Sequence, residues 1–117
     1  MNLAQNSIAE LINMIELGAV PEYGRYNSIS SKYQNDNEKI NASDVLLSIE
    51  PSILLEERPK ERELNIKVYS KNKARSYSVI LFRGETKDIL NRLKNEDLQL
   101  EVESFIKEAS SKFNEYD

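Results

Sequence analysis

Six residues between positions 22 and 38 gather side-chain types that recognise or react: Glu22, Tyr23, Tyr26, Tyr33, Asp36 and Glu38. A tyrosine offers a large, stiff, amphipathic ring at small entropic cost, and carboxylates beside it suit a basic surface. The group is therefore a candidate site for contact with a basic protein. As metal ligands the same acids are poorly spaced. Asp36-Asn37-Glu38 begins like a calcium loop but lacks the glycine and the distal glutamate of an EF-hand. Further on, Glu56-Glu57-Arg58 and Lys60-Glu61-Arg62-Glu63 place acids beside a lysine, the ingredients of metal-assisted phosphodiester cleavage. Their alternating signs around Pro59 describe a solvated turn more simply.

What is absent narrows the chemistry further. The 117 residues include no cysteine and no histidine, which removes disulfides, thiolate nucleophiles, thiolate zinc sites and the usual general base near neutral pH. Gly18, Gly24 and Gly84 are too far apart to cradle a phosphate. No cofactor, no metal and no enzymatic activity are expected. The first residues carry no positive stretch leading into an apolar one, and no run of 18 apolar residues occurs, so the expectation is a cytoplasmic protein without a membrane partner.

These residues need a scaffold, and the apolar spacing supplies one. Ile8, Leu11, Ile12 and Ile15 form the i, i+3, i+4, i+7 stripe of a helix over about 7–17, with room to reach back to Leu3. Ser7 and Glu10 have the spacing of a capping box, Gly18 suits the left-handed residue after the helix, and Pro21 stops it. Residues 19–43 then lose all period, apart from a short strand signal around Ile29. Such polar, irregular stretches are usually either functional or mobile.

Strand signals follow. Val45, Leu47 and Ile49 alternate up to Pro51, and Ile53-Leu54-Leu55 is short enough for a strand or a helical turn. Leu64, Ile66 and Val68, then Tyr77, Val79 and Leu81, predict an antiparallel hairpin over about 63–83 closed by a loop of about five residues. Apolar residues on both faces near 79–82 predict a central second strand. Ile89, Leu90 and Leu93 mark a short helix ending near Asn95. Leu98, Val102, Phe105, Ile106, Ala109 and Phe113 mark a terminal helix over about 97–114. The order predicts a single α+β domain. It has an N-terminal helix, a three- to four-stranded antiparallel sheet with strands within 44–83, and two C-terminal helices packed on one sheet face.

The net charge of −4 is distributed unevenly: −4 over residues 1–50, +4 over 51–83 and −4 over 84–117. Acidic helices flanking a basic sheet would complement each other within the fold; alternatively, the acidic ends would steer the protein to a basic partner. A chain without catalytic side chains but with acids and tyrosines matches the profile of a neutraliser, an immunity protein or antitoxin that occludes a basic toxin, including a nuclease. The alternative is a nucleic-acid-contacting regulatory or adaptor domain using Lys67, Lys71, Lys73, Arg75 and Arg83 of the hairpin. Overall acidity weighs against that alternative.

Overall fold

A computed structural model of the chain describes residues 5–21, 28–35 and 37–116. The elements run α1 (Gln5–Glu16), β1 (Ile29–Gln34), β2 (Asp44–Pro51), β3 (Glu61–Tyr69), β4 (Ser76–Glu85), α2 (Thr86–Asn95) and α3 (Gln99–Tyr116). The four strands form one antiparallel sheet in the order β1-β2-β3-β4, so each strand pairs with its neighbour in sequence. All three helices lie against one face, as the α+β reading anticipates. Their apolar stripes (Leu11, Ile89, Leu93, Val102, Ile106) meet Val45, Leu47, Ile49, Leu64, Ile66 and Val68 in a single core. The molecule is a two-layer slab measuring 41 × 29 × 18 Å, and the second sheet face is left to solvent. That face carries Lys32, Glu50, Asn65, Lys67 and Arg83, the polar half of the strand alternation.

Helix α1 ends where its sequence says it should. Gly18 adopts φ +78°, its N–H donates to the Ile15 carbonyl at 2.9 Å, and the Ala19 N–H donates to the Met14 carbonyl at 3.1 Å. Those two bonds are the Schellman pattern, which answers carbonyls the helix would otherwise leave orphaned. The start of α1 differs from expectation. Ser7 lies inside the helix, buried and without a hydrogen-bond partner, so it is no cap. Glu10 turns away to accept a 3.0 Å bond from Ser31 of β1. A partner supplied by the sheet displaces the local one.

Two further expectations about the sheet are corrected. Three strands begin in the anticipated region, but the fourth comes from Ile29–Gln34, while Ile53-Leu54-Leu55 folds as turns closed by Leu55 N–H to Ser52 and Arg58 N–H to Leu54. Strand β4 is an edge and not a central strand. Its apolar residues on both faces have another cause: Leu64 pairs with Phe82 but Asn65 pairs with Ile80, so Leu81 is the extra residue of a β-bulge. The bulge reverses the alternation, which puts Tyr77, Val79 and Phe82 all on the helix side.

At the other end of β4, the backbone passes directly into α2 through a capping box. The Glu85 carboxylate accepts the N–H of Asp88, and Asp88 accepts the Glu85 N–H at 3.3 Å. Tyr77 stacks on Phe105 with ring centres 5.1 Å apart, joining β4 to α3.

Candidate functional site

Of the six proposed contact residues, Glu22, Tyr23, Tyr26 and Asp36 lie outside the described residues, leaving Tyr33 and Glu38. Tyr33 stands on the helix side of β1, opposite Val45, with its ring packed on the core. Its hydroxyl is buried without a hydrogen-bond partner. Burial, and secondarily the Glu103 carboxylate, push this phenol well above the ordinary tyrosine value. Glu38 is exposed in the turn that joins β1 to β2. That turn is pinned by Asn41, whose N–H donates to Ser110 Oγ at 2.8 Å and whose side-chain amide donates to Asn114 at 3.1 Å, both on α3. Lys71 Nζ donates to the Glu38 carbonyl at 2.7 Å. The structure thus brings Glu38 to the C-terminal half of α3 and to the tip of the β3–β4 hairpin, while Tyr33 belongs to the core side of β1.

The hairpin cations are next. All eight basic residues of the 51–83 block have partners within the fold. Arg83 Nε is 2.9 Å from Glu63, Arg58 is 3.5 Å from Glu61, and Lys73 is 3.8 Å from Asp44, which Lys32 also approaches at 3.3 Å. Lys67 sits 5.3 Å from the Tyr69 ring centre and Arg75 4.4 Å from that of Tyr116. Lys71 is held by the Glu38 carbonyl, and Lys60 is likewise not free.

Arg62 is the most unusual of the eight. It is fully buried, on the core-facing side of β3 in line with Leu64, Ile66 and Val68. Its guanidinium donates to three carbonyls: Pro21 at 3.0 Å, Pro59 at 3.1 Å and Glu61 at 3.2 Å. Burial works against its charge and draws its pKa below the usual guanidinium value. Arg62 therefore ties the chain leaving α1 to the turn before β3. Sequence reasoning grouped it with the solvated turn, although its parity with Leu64 was a signal of the core face.

On α3 the balance is opposite. Glu101, Glu108 and Glu115 recur every seven residues, a spacing that drifts only ~20° per repeat around a helix, and all three are exposed. None forms an ion pair or hydrogen bond with the described residues. Glu101 adds to the field at Arg92, which is engaged first by Glu96 at 2.7 Å. Glu108 and Glu115 add to that at Lys112, whose charge is favoured first by its hydrogen bond to Tyr77. Asp97, four residues before Glu101, accepts the Gln99 N–H at 3.0 Å and extends the line past the helix start.

A cleft of about 540 Å³ opens where β3 begins and β4 ends, with Arg58, Lys60 and Arg83 facing Glu61, Glu85 and Asp88. Its charges balance, and its acids already serve as ion-pair partner or helix cap. Among the described residues, no group of three or more acids could hold a metal ion, and no helix is long and apolar enough to cross a membrane. Comparison with protein families, with characterised proteins and with solved structures finds no match to this chain.

Proposed function

We propose that the chain is a small cytoplasmic binding protein that neutralises a basic protein partner, as an immunity protein or antitoxin does, by covering its active surface. One observation carries the reading: cations of the 51–83 block are engaged inside the fold, whereas Glu101, Glu108 and Glu115 are exposed along one flank of α3 and form no ion pair with the described residues. A surface of that kind accelerates capture of a positively charged partner and weakens as salt is added. Glu38 is exposed at the turn that docks on the Ser110 and Asn114 flank of α3, away from that line of glutamates. Glu22, Tyr23, Tyr26 and Asp36 complete the proposed contact set, whereas Tyr33, expected to join it, has its ring packed on the core and its hydroxyl buried.

The test is affinity capture from the native lysate with the parent chain and with a Glu101→Lys, Glu108→Lys double variant. Capture of a basic protein by the parent, loss of capture by the variant and weakening with salt are the expected results. Equal capture by both would defeat the assignment to α3. Binding of a DNA or RNA oligonucleotide that is abolished by Lys71→Glu with Lys73→Glu would favour the hairpin-centred alternative instead.

A further inference from the structure

The two edges of the sheet are protected unequally. Strand β1 is six residues long, carries Lys32, and has α1 along its helix side. Strand β4 is ten residues long, and its first half, Ser76-Tyr77-Ser78-Val79-Ile80, contains no charge, no proline and no glycine. Val79 and Ile80 are 40% and 38% exposed there. An unpaired strand edge with apolar side chains on both faces is a template for another strand, and natural proteins seldom leave one open.

We propose that residues 76–80 of β4 pair antiparallel with the same residues of a second copy, joining two sheets into one of eight strands. The sequence of this window is self-complementary about Ser78. A two-fold axis there sets Ser78 against Ser78, Tyr77 against Val79 and Ser76 against Ile80, each pair occurring twice. The Tyr77–Val79 pairs fall on the helix side, an aromatic ring against a β-branched chain, which is a favourable cross-strand combination. The serine and isoleucine pairs fall on the open face. No charge opposes the approach within the window.

The window also has defined ends. Beyond Ile80 the bulge at Leu81 turns the strand and interrupts a regular edge. Before Ser76, Arg75 is stacked on Tyr116. The two copies of Arg75 would be separated by six residues along the strand direction, roughly 20 Å at the usual rise, and so would not repel strongly. A two-fold contact of this kind closes on itself and does not propagate into fibres. On the helix side the window is bordered by Lys112 of α3, 4.7 Å from the Tyr77 ring centre.

A residue on a two-fold axis faces its own copy, and opposed Cα atoms in an antiparallel pair lie within the range a disulfide spans. The chain has no cysteine, so Ser78→Cys introduces a single thiol. Under mild oxidation Ser78→Cys should become a covalent dimer, whereas Ser30→Cys, exposed on the opposite edge strand, should not. Sedimentation across the micromolar to millimolar range should show a species of twice the 13.5 kDa chain mass for the parent. Ser78→Lys and Ser78→Glu should each be monomeric alone and should associate when mixed. A parent that stays monomeric throughout, or cross-linking no faster at 78 than at 30, overturns the proposal. So does a charge-reversed mixture that fails to associate.

Discussion

The hydroxyl of Tyr33 is buried and has no hydrogen-bond partner among the described residues, which makes this residue a sensitive probe. Removing an unanswered hydroxyl strands no other group, so Tyr33→Phe should lie within about 1 kcal/mol of the parent, or above it, in urea denaturation at neutral pH. The pH dependence has a definite sign. The folded state raises this phenol's pKa, so its contribution is complete below the unfolded tyrosine value of about 10 and is lost as pH rises beyond it. Stability of the parent should therefore fall more steeply above pH ~10 than that of Tyr33→Phe. Equal slopes would mean that the ring is not buried as placed. Arg62→Ala should cost about 2–4 kcal/mol, because it leaves a hole and three carbonyls without their donor. Arg62→Met keeps the volume and should lose less, a contrast that thermal melts of the two variants would measure. Parity with Leu64 along β3 pointed Arg62 to the core face, although the sequence reading placed it in a solvated turn. The carbonyls that receive it come from Pro21 and Pro59, and no local pattern announces a contact spanning 41 residues.

Elements formed by local signals are the ones the sequence exposes. The stripe of α1 and its glycine stop, the terminal helix, and the alternating strands around Leu47 and Ile66 all follow from spacing. Gly18→Ala should cost about 1 kcal/mol through the left-handed backbone alone, since an added Cβ would meet nothing within 4 Å. Phe105→Ala should cost about 3–5 kcal/mol, because the ring is buried and stacked on Tyr77, and chemical denaturation would report it. Near-zero loss would mean that α3 is not docked on β4. Elements fixed by partners are harder to see. Strand β1 has the polar sequence Ile-Ser-Ser-Lys-Tyr-Gln and becomes a strand because β2 offers it an edge. The two-sided apolar run of β4 looked like a buried centre strand because a single extra residue reverses its alternation, and spacing alone does not distinguish those cases.

At the scale of the molecule, charge is the property that sequence blocks forecast only in outline. The middle block is basic, yet the fold spends those cations on Glu61, Glu63, Asp44, backbone carbonyls and aromatic rings. Glu101, Glu108 and Glu115 line one flank of α3 without an ion pair among the described residues; they could be counted in advance but not shown to be unpaired. Glu101 is in the first turn of α3 and Glu108 stands four residues before Lys112, so reversing both should cost about 1 kcal/mol while reversing the sign of that flank. A loss of stability no larger than that would establish that any loss of partner capture is a surface effect. Four of the six proposed contact residues fall outside the described part of the chain, so at the contact site the sequence reading stands by itself there.

The sequential strand order has a kinetic consequence. Every hairpin closes between neighbours, so the sheet can zip from one turn to the next with small loop-closure penalties. The longest-range contacts involve the helical layer, as between Lys94 and Glu16 across 78 residues. Assembly should therefore begin at the β-meander and finish when α1 meets α2, leaving the first helix as the last piece to lock and the first to come away.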